Sequence, residues 1–316
     1  MKFKLSHRLR LYFDFLRHST PRFDGRVKHF IWGYGKKSDA NDSIPKVIWL
    51  YWNEEKVNSA TVQLCINIIK NLHTDHEVHL LHRTNLLAFL PNFPTELFGK
   101  PSNFVSDMVR LMLLEQHGGI YLDATVLLSK PLNWALELQQ KDCSEAVLYY
   151  ADENTRDEKF PMVETWFIAA LPQSTFIKAW REEYQNCMLS ANSDTYYDNN
   201  DILPLSNFPL DATYYTSYMA GQIVMRRSQQ YRLSLLRAED DAFNYGLGFK
   251  KKWDEVAMAD VLLFNKKADF LPNVVKLIRF DRRRLDYYIE RKFYKKHSWL
   301  GELLQKQNFN DYSKDF

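Results

Sequence analysis

Asp107, Arg110 and Asp123 are the residues of this 316-residue chain whose types and spacing most readily do chemistry. Carboxylates accept hydrogen bonds from sugar or ribose hydroxyls, or hold a hard cation through oxygen. A guanidinium donates in a fixed fork that suits anions. Asp107 and Arg110 are three apart, neighbours on a helical surface, where an ordinary i,i+3 ion pair is the structural alternative. Asp123 follows a glycine pair and a short apolar run, the place where a strand would end. A turn-capping aspartate is its bland alternative.

The elements that must position them are legible in the stretch from Ser106 to Leu128. Met108, Val109, Leu111, Met112 and Leu114 give the first half a broad apolar helical side. Ser106 reads as a helix N-cap. Gly118-Gly119 supplies the stop, because glycine adopts left-handed backbone cheaply. Ile120-Tyr121-Leu122 then reads as a buried strand, with Tyr121 in the core and Asp123 at its end. Ligands of open α/β sheets bind at such strand ends. One short segment therefore carries two acids and an arginine toward one crevice.

The pattern S-D-x-x-R, L-L, G-G, an aromatic and L-D-A-T in this segment resembles the sugar-transferase region of glycosyltransferase family 32. The resemblance is strongest to its capsular polysaccharide synthesis branch. Ile44 to Trp52 (I-P-K-V-I-W-L-Y-W) is similar to that family's opening strand. Trp166 to Pro172 (W-F-I-A-A-L-P) is similar to its later strand. The three pieces run in the family's order from Ile44 to Trp180. The resemblance implies a GT-A-like nucleotide-sugar-binding sheet and a transferase that moves a sugar from a nucleotide-sugar donor to a growing bacterial surface glycan. It implies that Asp107 and Arg110 face the donor, and it implies retention of anomeric configuration. It also implies a divalent cation, Mn²⁺ or Mg²⁺, to neutralise the departing diphosphate. The fold type usually brings an acid-x-acid pair to that cation. Here the triplet is Asp123-Ala124-Thr125, which leaves Asp123 as the metal or diphosphate residue with the Thr125 hydroxyl or water beside it. Some GT-A enzymes bring a late histidine to the same place, and His297 is the loose match.

Other residues carry weaker signals. Trp52 closes the first strand and is a platform on which a nucleotide base could stack. Trp49 is its competitor on the opposite pleat face. Glu164 and Asp240-Asp241 are candidate acids on the acceptor side, with no spacing to favour them. His73, His76 and His79 have metal-like spacing, but Asp75 and Glu77 alternate with them and favour a polar edge. Arg282, Arg283 and Arg284 read better as a solvated charged face than as a phosphate site.

The bulk composition is that of a globular protein, 46% hydrophobic and 26% charged, with 18 Tyr, 21 Phe and 8 Trp. A net charge of +3 is too small for an overall nucleic-acid signature, so no nucleic acid is expected as a partner. The charge is uneven, however. Residues 1–30 hold eight Lys/Arg against two Asp, and residues 276–296 hold nine against three acids. Residues 2–17 place Leu5, Leu9, Tyr12, Phe13 and Leu16 on one face of a basic helix. Such ends suit either an anionic membrane surface, where lipid-linked acceptors reside, or packing on the protein body. Cys65, Cys143 and Cys187 are far apart and odd in number, which favours a reducing, cytoplasmic setting over a disulfide framework. No run approaches the ~18 apolar residues of a membrane span.

Strand and helix alternate through Lys46–Trp52, Thr61–Leu72, His76–His82, Asn85–Leu90, the Asp107 helix, the Asp123 strand, Ala146–Tyr150, Val163–Ala170 and Thr175–Met188. This predicts an α/β sheet with helical N- and C-terminal additions. The expected division is residues 1–43, an amphipathic helix and a loop, and residues 44–316, the sheet domain with a basic helical end. Residues 190–216 read as a long loop or lid, and 219–236 and 253–264 as helical. Two rival functions remain at this level. One is a Mg²⁺-dependent phosphoester hydrolase, for which the segment offers few bridging carboxylates. The other is a non-catalytic membrane- or nucleic-acid-binding module.

Overall fold

In the computed structural model, residues 18–39, 41–197, 215–250 and 252–312 are described. The expected amphipathic helix at 2–17 lies outside them, as does most of the expected 190–216 loop. The strands are β1 (His29–Trp32), β2 (Val47–Tyr51), β3 (Glu77–Leu81), β4 (Gly119–Asp123), β5 (Val126–Leu128), β6 (Ala146–Ala151), β7 (Met162–Ala170), β8 (Leu233–Arg237) and β9 (Val274–Lys276). The helices are α1 (Ala60–Leu72), α2 (Leu86–Phe89), α3 (Ser102–His117), α4 (Asn133–Asp142), α5 (Thr175–Met188), α6 (Thr216–Arg227), α7 (Asn244–Leu247), α8 (Glu255–Leu263), α9 (Arg279–Glu290) and α10 (Trp299–Tyr312).

Among the described residues, seven strands form one mixed sheet in the order β1-β8-β6-β7-β4-β2-β3, and β5 pairs with β9 separately. β2 is parallel to β3 and β4, with α1 to α3 in the crossovers, while β7 is antiparallel to β4 and β6. Tyr51 of β2 stands opposite Asp123 of β4, so both strands end at one edge of the sheet. Because β7 runs the other way, its first half reaches that same edge.

The pleat assigns side chains to two cores. Ile48, Leu50, Ile120 and Leu122 join the core on one face, with α1, α8 and α9. Trp49, Tyr51 and Tyr121 join the other, with α3, α5 and α6. Continuous apolar runs are what a sheet covered on both faces requires. Capping agrees with local sequence at three helix starts. The side chains of Ser59, Ser174 and Asp254 accept from the first-turn amides of α1, α5 and α8.

Four readings are corrected. Ser106 is not an N-cap: α3 begins four residues earlier, after Pro101, and Ser106 sits inside it. Residues 29–32 are not loop but an edge strand paired antiparallel with β8, so this part of the N-terminal segment joins the sheet. Residues 233–236, the end of the stretch 219–236 expected as helix, belong to β8, which is buried between β6 and β1. A short apolar run has no period that separates a buried strand from a buried helix. Finally, Lys276, read as the start of the basic helical end, lies instead in β9, which pairs with β5 and brings it opposite Val126.

Candidate functional site

The sheet edge where β2 and β4 end opens into a cavity of about 590 Å³. Helix α3 lines it with Ser102, Asn103, Ser106, Asp107 and Arg110, residues three or four apart that share one helical side. The opposite side of α3 carries Val105, Met108, Val109, Leu111 and Met112 into the core. The helix is thus amphipathic, with its apolar side in the core and its polar side, buried only at Asp107 and Arg110, facing the cavity.

Arg110 is the hub of the wall. Its guanidinium donates to Asp107 Oδ1 at 3.0 Å, to Asp123 Oδ1 at 3.2 Å and to Ser106 Oγ at 3.0 Å. It also lies over the Tyr121 ring, 4.8 Å from its centroid, and the Tyr121 hydroxyl bonds Ser106 Oγ at 2.9 Å. The i,i+3 pair expected as the structural alternative is present. It belongs to the same network that reaches Asp123.

Lys276 completes that network from β9. Its ammonium bonds Asp123 Oδ2 and lies 3.5 Å from Thr125 Oγ1. Burial works against the charge on Asp123, but Lys276 and Arg110 outweigh it and hold the carboxyl below its ordinary value. Asp107 responds oppositely. Burial pushes its carboxyl up to about 6, although Arg110 opposes the shift. Glu164 lies deeper, accepting from Trp166 Nε1 at 2.9 Å and from the Tyr218 hydroxyl at 3.0 Å. Burial pushes it up to about 7.

Of the residues singled out from sequence, Trp52, Asp107, Arg110, Asp123 and Thr125 line the cavity together. Trp49 does not. It is 4% exposed, stacks on His79 and donates from Nε1 to Gly118 O at 2.8 Å. His297 is exposed and is not part of the cavity wall. Asp241 is buried elsewhere and accepts from Tyr149 and Asn273. His73 bonds Ile69 O and the Leu132 amide, as a structural histidine does.

Sequence reading missed Lys276 and misjudged Arg282. Arg282 is not simply part of a solvated face: with Arg279 it lines the cavity, 5.7 Å from the Trp52 ring. Arg283 is exposed, while Arg284 pairs with Glu255 at 3.4 Å. The only local clue was position, since Arg279 and Arg282 are i,i+3 at the start of a helix.

The donor set does not fit a divalent-cation cradle as the side chains stand. Hard cations want several oxygen ligands. Both Asp123 oxygens face cationic partners, Oδ1 of Asp107 faces Arg110, and the Thr125 hydroxyl is near Lys276. Among the described residues no group of three or more His, Cys, Asp and Glu is placed to hold a metal.

The described residues thus form a mixed α/β sheet flanked by helices, with a polar cavity where its parallel strands end. The chain belongs to the capsular polysaccharide synthesis protein family, whose model matches residues 11–236. A solved structure titled "PaToxG Glycosyltransferase" is similar at 13% identity and a TM-score of 0.32, over 66% of this chain and 86% of that one. No curated protein matches. Among the described residues no helix is long and apolar enough to cross a membrane.

Proposed function

We propose that the protein is a glycosyltransferase that moves a sugar from a nucleotide-sugar donor to a growing capsular polysaccharide or a related glycan. The observation that carries this reading is the convergence of Trp52, Asp107, Arg110 and Asp123 on one cavity in a chain of the capsular synthesis family. Trp52 offers a flat face for the base. Asp107 and Arg110 offer an acceptor and a fork of donors to sugar or ribose hydroxyls. Asp123, held ionised by its two cations, fixes the position of both.

Catalysis then rests mainly on orientation and electrostatics. A leaving diphosphate gains negative charge as the glycosidic bond breaks, and preorganised cations at that place lower the barrier. Arg110 is preorganised in this sense, since ion pairs to Asp107 and Asp123 hold it, and Lys276 stands beside Asp123 in the same wall. The acceptor would be a glycan or lipid-linked glycan, and the basic C-terminal helices favour an anionic membrane surface nearby.

The test is sugar transfer itself. Purified protein is given a panel of nucleotide-sugars with and without Mn²⁺ or Mg²⁺, and release of the nucleoside diphosphate is followed. Release from one donor family, lost in Arg110→Lys, supports the reading. Arg110→Lys keeps the charge but loses the fork that serves both aspartates. No release and no thermal stabilisation by any nucleotide, in folded protein, would point to a non-catalytic binding role.

A further inference from the structure

Four cations, Arg110, Lys276, Arg279 and Arg282, line the cavity against three carboxylates, Glu54, Asp107 and Asp123. Arg110 is shared between Asp107 and Asp123, and Lys276 pairs with Asp123. Arg279 and Arg282 line the same cavity, and among the described residues neither has a carboxylate within ion-pair distance. Arg282 is partly buried; among the described residues its Nε has no hydrogen-bond partner, and Asp123 and Asp286 act on it only through space. A desolvated cation without a partner is costly unless an anion arrives.

These cations come from one short piece of chain. Lys276 ends β9, and Arg279 and Arg282 occupy the first turn of α9. The piece lies beyond residues 11–236, the part that the family model matches. Arg282 stands beside the Trp52 ring, and Lys276 stands beside Asp123. An anion bound between them would sit between a base platform and the Asp107–Arg110 wall, where a nucleotide-sugar carries its diphosphate.

We propose that Lys276, Arg279 and Arg282 bind the donor's diphosphate directly, and that Lys276 exchanges Asp123 for it when the donor enters. This inference rests on the donor-site reading above. It gives the cation role to side chains, in a cavity where Asp107 and Asp123 are already engaged by Arg110 and Lys276. Before the donor binds, Lys276 then acts as a placeholder: it pairs with Asp123 and is released to a stronger, doubly ionised partner.

The experiment is calorimetric titration with the uridine, guanosine, adenosine and cytidine diphosphates. Each is run first in EDTA and then with Mn²⁺ or Mg²⁺, on wild type, Lys276→Met, Arg282→Gln and Arg279→Gln. Arg279 is exposed, so its variant tests the site without endangering the fold. Circular dichroism checks the other two. The expected result is binding of one nucleoside diphosphate in EDTA, weakened at least tenfold in Lys276→Met and Arg282→Gln and less in Arg279→Gln. The matching nucleoside, which lacks phosphate, should bind all four proteins alike. Binding that appears only with metal, or that is unchanged in folded variants, overturns the inference and leaves the donor site standing. No nucleotide binding under either condition overturns the donor site as well.

Discussion

Asp123 and Lys276 are 153 positions apart in the chain, yet they form an ion pair in the wall of the cavity. The β5–β9 pairing makes this possible. It sets Lys276 opposite Val126, close enough for the ammonium to reach back to Asp123. The pair is partly buried, with side chains 15% and 25% exposed.

Asp123→Asn should destabilise the fold, because it leaves the Lys276 ammonium with less compensation. We expect a loss of roughly 2 kcal/mol, below the ~3–5 kcal/mol of a fully buried pair because water still reaches this one. The double variant Asp123→Asn, Lys276→Met should recover part of that loss, giving a coupling energy in a double-mutant cycle. Sugar transfer should stay lost in both. Urea denaturation beside an activity assay separates these effects. A strictly additive cycle would show that the pair does not stabilise the fold.

Trp52 and Trp49 should respond differently to truncation. Trp52→Ala should weaken nucleoside binding by roughly 1–3 kcal/mol, the usual worth of base stacking on an aromatic ring, with little change in stability. Trp49→Ala should cost about 3–5 kcal/mol of stability, as large-to-small changes in a packed core do. Nucleoside affinity of whatever Trp49→Ala protein remains folded should be close to wild type. Fluorescence titration and thermal melts measure both. Equal loss of nucleoside affinity in the two would remove the distinction.

Glu164 gives a pH signature. Its carboxyl is raised to about 7 by burial. A raised carboxyl favours the folded state below the unfolded value near 4.5, and that advantage is lost as pH rises through 7. Glu164→Gln keeps an oxygen that can accept from Trp166 and Tyr218 but does not titrate. The melting temperature of the variant relative to wild type should therefore climb between pH 4.5 and 7. A flat difference across that range would show Glu164 with an ordinary carboxyl.

Gly119 carries a backbone prediction. Its φ is +96°, and a Cβ there would meet Val47 O at 2.6 Å. Gly119→Ala therefore strains the first residue of β4 and pushes it from β2. We expect at least ~2 kcal/mol of destabilisation. Nucleotide affinity should fall too, since the register that aligns Tyr51 with Asp123 runs through this pairing. An unchanged melting temperature would contradict this.

The sequence alone determined the local elements around Asp107 and Asp123 and the central β2, β4 and β7 strands. Their periods, glycine stops and unbroken apolar runs are written within a few residues of each position. It also brought Trp52, Asp107, Arg110, Asp123 and Thr125 forward, together with Trp49 and His297, which do not line the cavity. Only tertiary structure decided that Trp52, not Trp49, faces the cavity, since the pleat separates the two faces but does not say which one a cavity will occupy. Only tertiary structure turned Arg282 inward and placed Lys276 on Asp123. A basic helix on a charged surface and one beside a cavity have the same composition and period. What separates them is the pairing of β5 with β9, a contact between segments about 150 residues apart that no local pattern encodes.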